Sequence, residues 1–351
     1  MFADKYSKSI SFLLANANPS IKLRVKKEIL GNITEEEEKE LQAEILNEKI
    51  LCLIADKQQE NGWIGLGFHG PNKNAGQYDN QEVATKYMGE KGLNGTTLLN
   101  RAMDAFVSMN PSELYHEKNG KVYSEYTTPA YGPNITRCAC IARAHYDDVI
   151  NIEPQVDVAL ESFRRVTEVD SILEVSRPTK NIRLFNENER WPCHYHLEIL
   201  AFTDSWKTED NISMLGESFR QLMRTDRPEI MNTNVACWVG HPVGPAMYYP
   251  EGFSISTDTD VSHIVRLDKV EWMVRCGLYN HIPKLKEEVQ YILESFDQDG
   301  ICRLAVNEKE FRGWSPYFGL QLETDWKSKI RRACDITFRA LLILHYANKH
   351  F

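Results

Sequence analysis

The chain has 351 residues, a formal net charge of −9, and 42% hydrophobic against 26% charged residues. That length allows one large domain or two ordinary ones, and the acidic balance argues against a nucleic-acid or anionic-membrane surface. No apolar run approaches the roughly 18 residues a membrane helix needs, and a small molecule is the expected partner. Eight cysteines, none in CxxC spacing and most inside apolar helical runs, read as reduced thiols filling the core of a cytoplasmic protein.

In chain order, "MFADKYSKSISFLLANANPS" lacks a basic leader and a cleavage site and reads as folded chain with a helix near 6–15. "NPSIKLRVKKEILG" has Asn-Pro-Ser as a start signal and Gly31 as a stop. It pairs with "TEEEEKELQAEILNEKILCLIADKQ", in which Thr34 and Glu37 spell a capping box. The stripe of Leu41, Ile45, Ile50, Leu53 and Ile54 there keeps the helical period. Further helical hairpins are predicted over 79–91 with 95–109, 134–146 with 153–168, 191–204 with 209–225, and 260–277 with 282–296. The last helix, 328–349, contains "ALLIL", apolar all round and so expected to be buried on every side. With the first helix as its partner, the count is twelve helices in six pairs.

Two breaks look alike. "IADKQQENGWIG" and "YILESFDQDGIC" each carry an apolar run through acid and glutamine into Asn-Gly or Asp-Gly, which suggests a repeated unit. Trp63 is expected to pack over the end of its helix. Links inside pairs run about three to six residues, whereas links between pairs run about twenty to thirty-four and are rich in Trp, Tyr, Gly and Pro. Pairs set side by side would bring every long loop to one end, beside the N-termini of the inner helices. The expected fold is therefore all-α: one domain over 1–351, an (α/α)6 toroid of six antiparallel pairs with long aromatic loops at one end. An open helical solenoid is the rival.

These residues resemble the terpenoid cyclase and protein prenyltransferase toroid superfamily. "QQENGWIG" looks like its Gln-to-Trp repeat signature, and "DTDVSHIVRLDKVEWMVRCGL" has the layout of its acidic motif entering an inner helix. The resemblance implies that Asp258 and Asp260 stand at the first and second acids of a motif whose middle acid protonates an alkene or epoxide. Val261 stands in the third place, which favours a milder general acid assisted by His263. The alternative is structural: Asp258 or Thr257 caps the helix and Asp260 complements its dipole. The Asp-Asp-x-x-Asp metal motif is absent at Asp147-Asp148. The prenyltransferase zinc trio has only Asp299, Cys302 and His345 as candidates, with His345 at the far end of its helix. No metal is expected, and no cofactor is required by the sequence.

The remaining candidates line the expected mouth. "WPCHYHLEILAFTD" clusters Cys193, His194 and His196, but His194 and His196 lie about 200° apart on a helix and cannot share a ligand face. They are read as pocket lining or satisfied core groups. Tyr131, Trp191, Tyr195, Trp314 and Tyr317 are expected to border one cavity, with His194 and Glu323 as further ligand contacts. Arg137 would meet an anion there or make an internal ion pair. Aromatics with acids suit a carbocation and equally a sugar. Three functions stay open: an enzyme acting on an apolar, isoprenoid-like substrate by acid-initiated chemistry, a carbohydrate-active hydrolase or lyase, and a non-catalytic ligand binder. Phosphate-binding and serine-hydrolase motifs are lacking.

Overall fold

A computed structural model of the chain describes residues 2–68, 78–108, 133–186, 189–224, 235–238, 242–245, 263–306 and 321–349. It is mostly helical. The helices are α1 (Phe2–Lys5), α2 (Ser7–Asn16), α3 (Pro19–Arg24), α4 (Glu35–Leu46), α5 (Lys49–Asp56), α6 (Gln81–Glu90) and α7 (Thr97–Ser108). They continue with α8 (Pro133–Arg143), α9 (Glu153–Thr167), α10 (His194–Phe202), α11 (Glu209–Leu222), α12 (His263–Arg275), α13 (Pro283–Glu294) and α14 (Lys329–Ala347). A π-helical stretch, Val25–Leu30, prolongs α3.

The local signals work as their chemistry requires. The Asn18 side chain accepts from the Ile21 amide at 3.0 Å and Pro19 takes the first helical position, while Gly31 ends the element at φ 62°. Thr34 accepts from Glu37 at 3.2 Å, but the Glu37 carboxylate turns to Lys26 instead of closing the box. The long helix expected after Thr34 is two helices. At the break, Asn47 bonds back to the Ala43 carbonyl at 2.9 Å and Glu48 swings inward to Lys91 Nζ at 2.7 Å, a tertiary pull that local propensity does not contain. A small sheet also appears where almost no strand was expected. Its strands β1 (Ser176–Pro178), β2 (Arg183–Phe185), β3 (Val235–Trp238) and β4 (Pro242–Pro245) are short, with β1–β2 and β3–β4 antiparallel and β2–β3 parallel.

The two look-alike breaks fold alike. Gln59 N–H donates to the Trp63 carbonyl and Gly62 N–H to Gln59; Asp297 N–H donates to Ile301 and Gly300 N–H to Asp297. Each turn is closed by a bridge, Gln58 with Ile64 and Phe296 with Cys302, and each glycine has positive φ. Trp63 packs against Phe68 and Phe106, both 6.1 Å away by ring centroid. The indole therefore ties the turn to α7.

Among the described helices, α6 packs on α8, α8 on α10, α10 on α12, α12 on α14, and α14 on α3. Contacts of α2 with α14, α4 with α3, α7 with α6, α9 with α10 and α13 with α12 add a second set. Buried apolar side chains from Tyr6 to Ala347 form one cluster, and "ALLIL" in α14 is buried throughout. Of the seven described free cysteines only Cys52 is exposed. No described helix is long and apolar enough to cross a membrane.

Gly62 and Gly31 separate two kinds of glycine. A Cβ on Gly62 would stand 2.0 Å from the Arg101 carbonyl oxygen, whereas Gly31 has open space around it. Gly31→Ala is expected to cost about 1 kcal/mol, the left-handed backbone alone, and Gly62→Ala about 3 kcal/mol because the turn must leave α7. Chemical denaturation of the two variants measures the difference.

Candidate functional site

The helices that pack in succession bury charge against one another. Glu90, the last residue of α6, is held by three guanidinium groups. Its Oε2 accepts from Arg24 Nη1 at 2.8 Å and Arg339 Nη2 at 2.9 Å, and its Oε1 from Arg143 Nε at 3.1 Å and Nη2 at 2.9 Å. Burial opposes ionisation, yet Arg339, Arg143 and Arg24 hold the carboxyl well below the usual range. A carboxylate at a helix C-terminus also meets the negative end of the dipole, so these cations are what permits it there.

The network spreads both ways. Arg339 Nη1 reaches Glu271 Oε2 at 3.2 Å, Arg275 Nε reaches Glu271 Oε1 at 2.9 Å, and Arg275 Nη2 donates to Glu28 at 3.0 Å, which Arg24 also holds. In the other direction Arg143 Nη1 donates to Glu198 Oε1 at 2.9 Å, Lys86 Nζ to Glu198 Oε2 at 2.6 Å, and Lys86 stands 3.3 Å from Glu82. Tyr195 OH donates to Glu82 at 2.8 Å, with Lys86 Nζ 4.6 Å from its ring centre. Counting Asp268 and Lys269 on α12, six cations face six carboxylates; all but Glu28 are buried.

Two cavities lie among these helices, and the first borders the network. One of about 210 Å³ is bordered by Arg24, Glu28, Glu90, Arg143, His145 and Phe202, among others. Glu90, Arg143 and Phe202 end α6, α8 and α10, so this cavity lies at the C-terminal ends of those helices. His145 enters it on a left-handed backbone, φ 57°. Its surroundings lower its pKa, through lost hydration and then the cations Arg275, Arg24 and Lys27. The ring is solvent-exposed by area, which moderates the shift. The other cavity, about 350 Å³, includes Phe106, Arg137, Cys138, Ile141 and Val149.

Of the expected site residues, Tyr131, Asp258, Asp260, Trp314 and Tyr317 lie outside the described residues, and His263 opens α12 with its side chain outside them. Tyr195 belongs to the charged network. His194 is buried beside it, ring centres 3.8 Å apart, and Trp191 is buried against Phe185 at 6.3 Å. Arg137 donates to the Phe106 carbonyl at 3.2 Å and to Asn134 at 2.6 Å. Cys193 and His196 form a helix cap: the Cys193 amide donates to His196 Nδ1 at 2.8 Å, fixing the neutral tautomer with its proton on Nε2. Among the described residues no group of three side chains is placed to hold a metal. Glu323 is buried, and its Oε1 accepts from the Asn18 amide at 2.8 Å. Asp335 beside it accepts from Leu322 N, Glu323 N and the Trp326 indole. Burial pushes Asp335 up to about 6 against these donors, and burial with the Asp335 charge pushes Glu323 up to about 7. Glu323 is raised further than Asp335 and is the first of the two to take a proton as pH falls.

Little in the sequence marks this network. Glu82, Lys86, Glu90, Arg24 and Arg275 look like ordinary helix-surface charges in the sequence. Two signals existed: Glu198 stands alone in "HLEILAF", and Arg339 interrupts "ITFRALLIL". A charge inside an apolar run needs a partner. Comparisons with family models, curated proteins and solved structures match none of them to this chain.

Glu90→Ala is expected to destabilise by about 4 kcal/mol, because three buried guanidiniums lose their shared carboxylate; denaturant unfolding tests it. For Glu323 the folded pKa is raised, from 4.5 to about 7. Its stabilisation is therefore complete below about pH 4.5 and lost as pH rises through about 7. Glu323→Gln should remove that slope and leave the variant relatively more stable above neutrality, read from melting temperature against pH.

Proposed function

We propose that the chain is an (α/α)6 toroid, one domain throughout, whose inner wall handles a small hydroxyl-bearing ligand in the manner of a carbohydrate-active six-hairpin enzyme. The succession α6, α8, α10, α12, α14, α3 supports closure, since Arg24 of α3 returns to Glu90 of α6. The second set of helices would then form the outer wall. One observation carries the ligand class: among their apolar side chains, these helices carry a continuous chain of buried ion pairs from α3 through α6, α8, α10, α12 and α14.

An isoprenoid laid on such a wall would face charged groups and offer them no hydrogen bonds. Hydroxyl and carboxyl groups of a sugar can offer them. Glu82 and Tyr195, in the first turns of α6 and α10, stand at the helix ends from which the long aromatic links are expected to rise. Tyr195 is thus our leading ligand contact, with Lys86 and Glu198 behind it. Arg137, Trp191 and His194 support this end of the wall, while Glu323 braces Asn18. The proton donor suggested by Asp258, Asp260 and His263 stays a second reading of the same site, resting on the acidic motif at the head of α12.

Calorimetric titration with neutral and acidic oligosaccharides and with farnesyl diphosphate tests the ligand class. An oligosaccharide should bind, and Tyr195→Phe should weaken it about tenfold through loss of a buried hydroxyl. Tight farnesyl diphosphate binding with no sugar binding would reverse the assignment.

A further inference from the structure

The cavity of about 210 Å³ at the C-terminal ends of α6, α8 and α10 gathers two uncommon backbone features. Lys27 and Glu28 reach it from the π-helical stretch Val25–Leu30, and His145 from a left-handed backbone at φ 57°. Features of both kinds cluster at functional sites. The cavity is also reachable. Arg24, Glu90 and Arg143 in its floor are buried, but Lys27 and His145 at its rim are exposed and Asn94 is half-buried.

Its acceptors are already taken. Glu90 holds three guanidinium groups, and Glu28 holds those of Arg24 and Arg275. The closing carbonyls of two of the helices are capped as well. Those of Tyr87, Met88 and Gly89 accept from the amides of Lys91, Leu93 and Gly92, and those of Cys140, Ile141 and Ala142 from Ala144, Tyr146 and His145. The negative helix ends therefore have little left to offer a cation.

Donors are what remains. Among the described residues Lys27 Nζ is held by Glu38 at 2.6 Å, an exposed pair that costs little to open. The His145 ring meets Phe202 edge-on at 5.8 Å, and among the described residues no hydrogen bond fixes its nitrogens. Charge sorts the same way. The lining carries Arg24, Lys27 and Arg143 against Glu28 and Glu90, and Arg275 of α12 adds its field at the His145 ring. Asp204, beyond α10, is answered by Lys207 at 2.5 Å. Arg143 and Arg275 also serve Glu198 and Glu271, so the surplus positive charge is that of Lys27.

We propose that this cavity is a second ligand site that takes one small oxyanion, a phosphate or a short carboxylate, with the Lys27 ammonium and the His145 imidazole N–H as its donors. The volume equals that of about seven waters at ~30 Å³ each, enough for either group and below the usual range for larger ligands. Glu90 at this end of α6 is about 12 Å along the helix from Glu82. The site thus stands apart from Tyr195 and does not rest on the sugar reading.

Calorimetric titration of the full chain with inorganic phosphate, succinate and putrescine tests it. Phosphate or succinate should bind at low ionic strength, and the tighter of the two identifies the anionic group. Lys27→Gln should weaken that binding about tenfold at unchanged melting temperature, and so should His145→Asn, since asparagine tolerates the left-handed backbone. Lys57→Gln, which alters an exposed lysine bordering neither cavity, should leave it unchanged. Putrescine binding in place of the anions, or no binding of either anion, overturns the proposal. So does anion binding that neither cavity variant weakens, or that Lys57→Gln weakens equally. Should His145→Asn fail to fold, Lys27→Gln alone decides.

Discussion

The structure depends on the neutralisation of Glu90. A carboxylate at a helix C-terminus, out of water and against the dipole, persists only because Arg24, Arg143 and Arg339 converge on it from three other helices. Each of those arginines is itself buried and needs a second carboxylate, which Glu28, Glu198 and Glu271 supply. Charge neutrality then propagates from helix to helix. Removing any one partner leaves a bare buried charge, so the helices are mutually conditional in a way that apolar packing alone does not impose.

Such a network stabilises less than an aliphatic core of equal volume would, because each ion is first desolvated. What it supplies is register. Guanidinium–carboxylate contacts near 2.9 Å tolerate little sliding, and here they fix α3, α6, α8, α10, α12 and α14 at matching heights. Aromatic faces reinforce the cations, with Arg275 over Tyr346 at 4.0 Å and Arg24 over Phe338 at 5.0 Å. This buried charge is the physical basis on which we propose a hydroxyl-bearing ligand instead of the isoprenoid that the resemblance implies.

The start and end of the described chain are joined by different means. Asn18 caps α3 with its side chain while its amide donates to Glu323, and its side-chain amide donates to the Leu322 carbonyl. Lys91 reaches the same carbonyl, and Asp335 gathers the amides of Leu322 and Glu323. One short segment thereby links α3, the end of α6 and the first turns of α14. Burial raises both acids of this junction, Glu323 the further, so the junction weakens as pH rises.

The sequence by itself determined the helices and their ends. Asn18, Thr34 and Gly31 act on their own neighbours, and the apolar period of each segment survives into the structure, so hairpins from 79–91 onward appear close to where periodicity placed them. It also determined the twin turns, since Asn-Gly and Asp-Gly dictate backbone locally. Tertiary structure alone decided which charges are internal. Lys86 and Glu82 share a face of α6 by spacing, but whether that face meets solvent or Glu198 of another helix is fixed by packing 112 residues further on. The same holds for the break at Asn47, for Cys193 with His196 forming a helix cap, and for Glu323 turning inward to Asn18. Local chemistry is written in neighbours a few residues apart; burial of charge is a long-range property, and only the folded chain brings the compensating partners together.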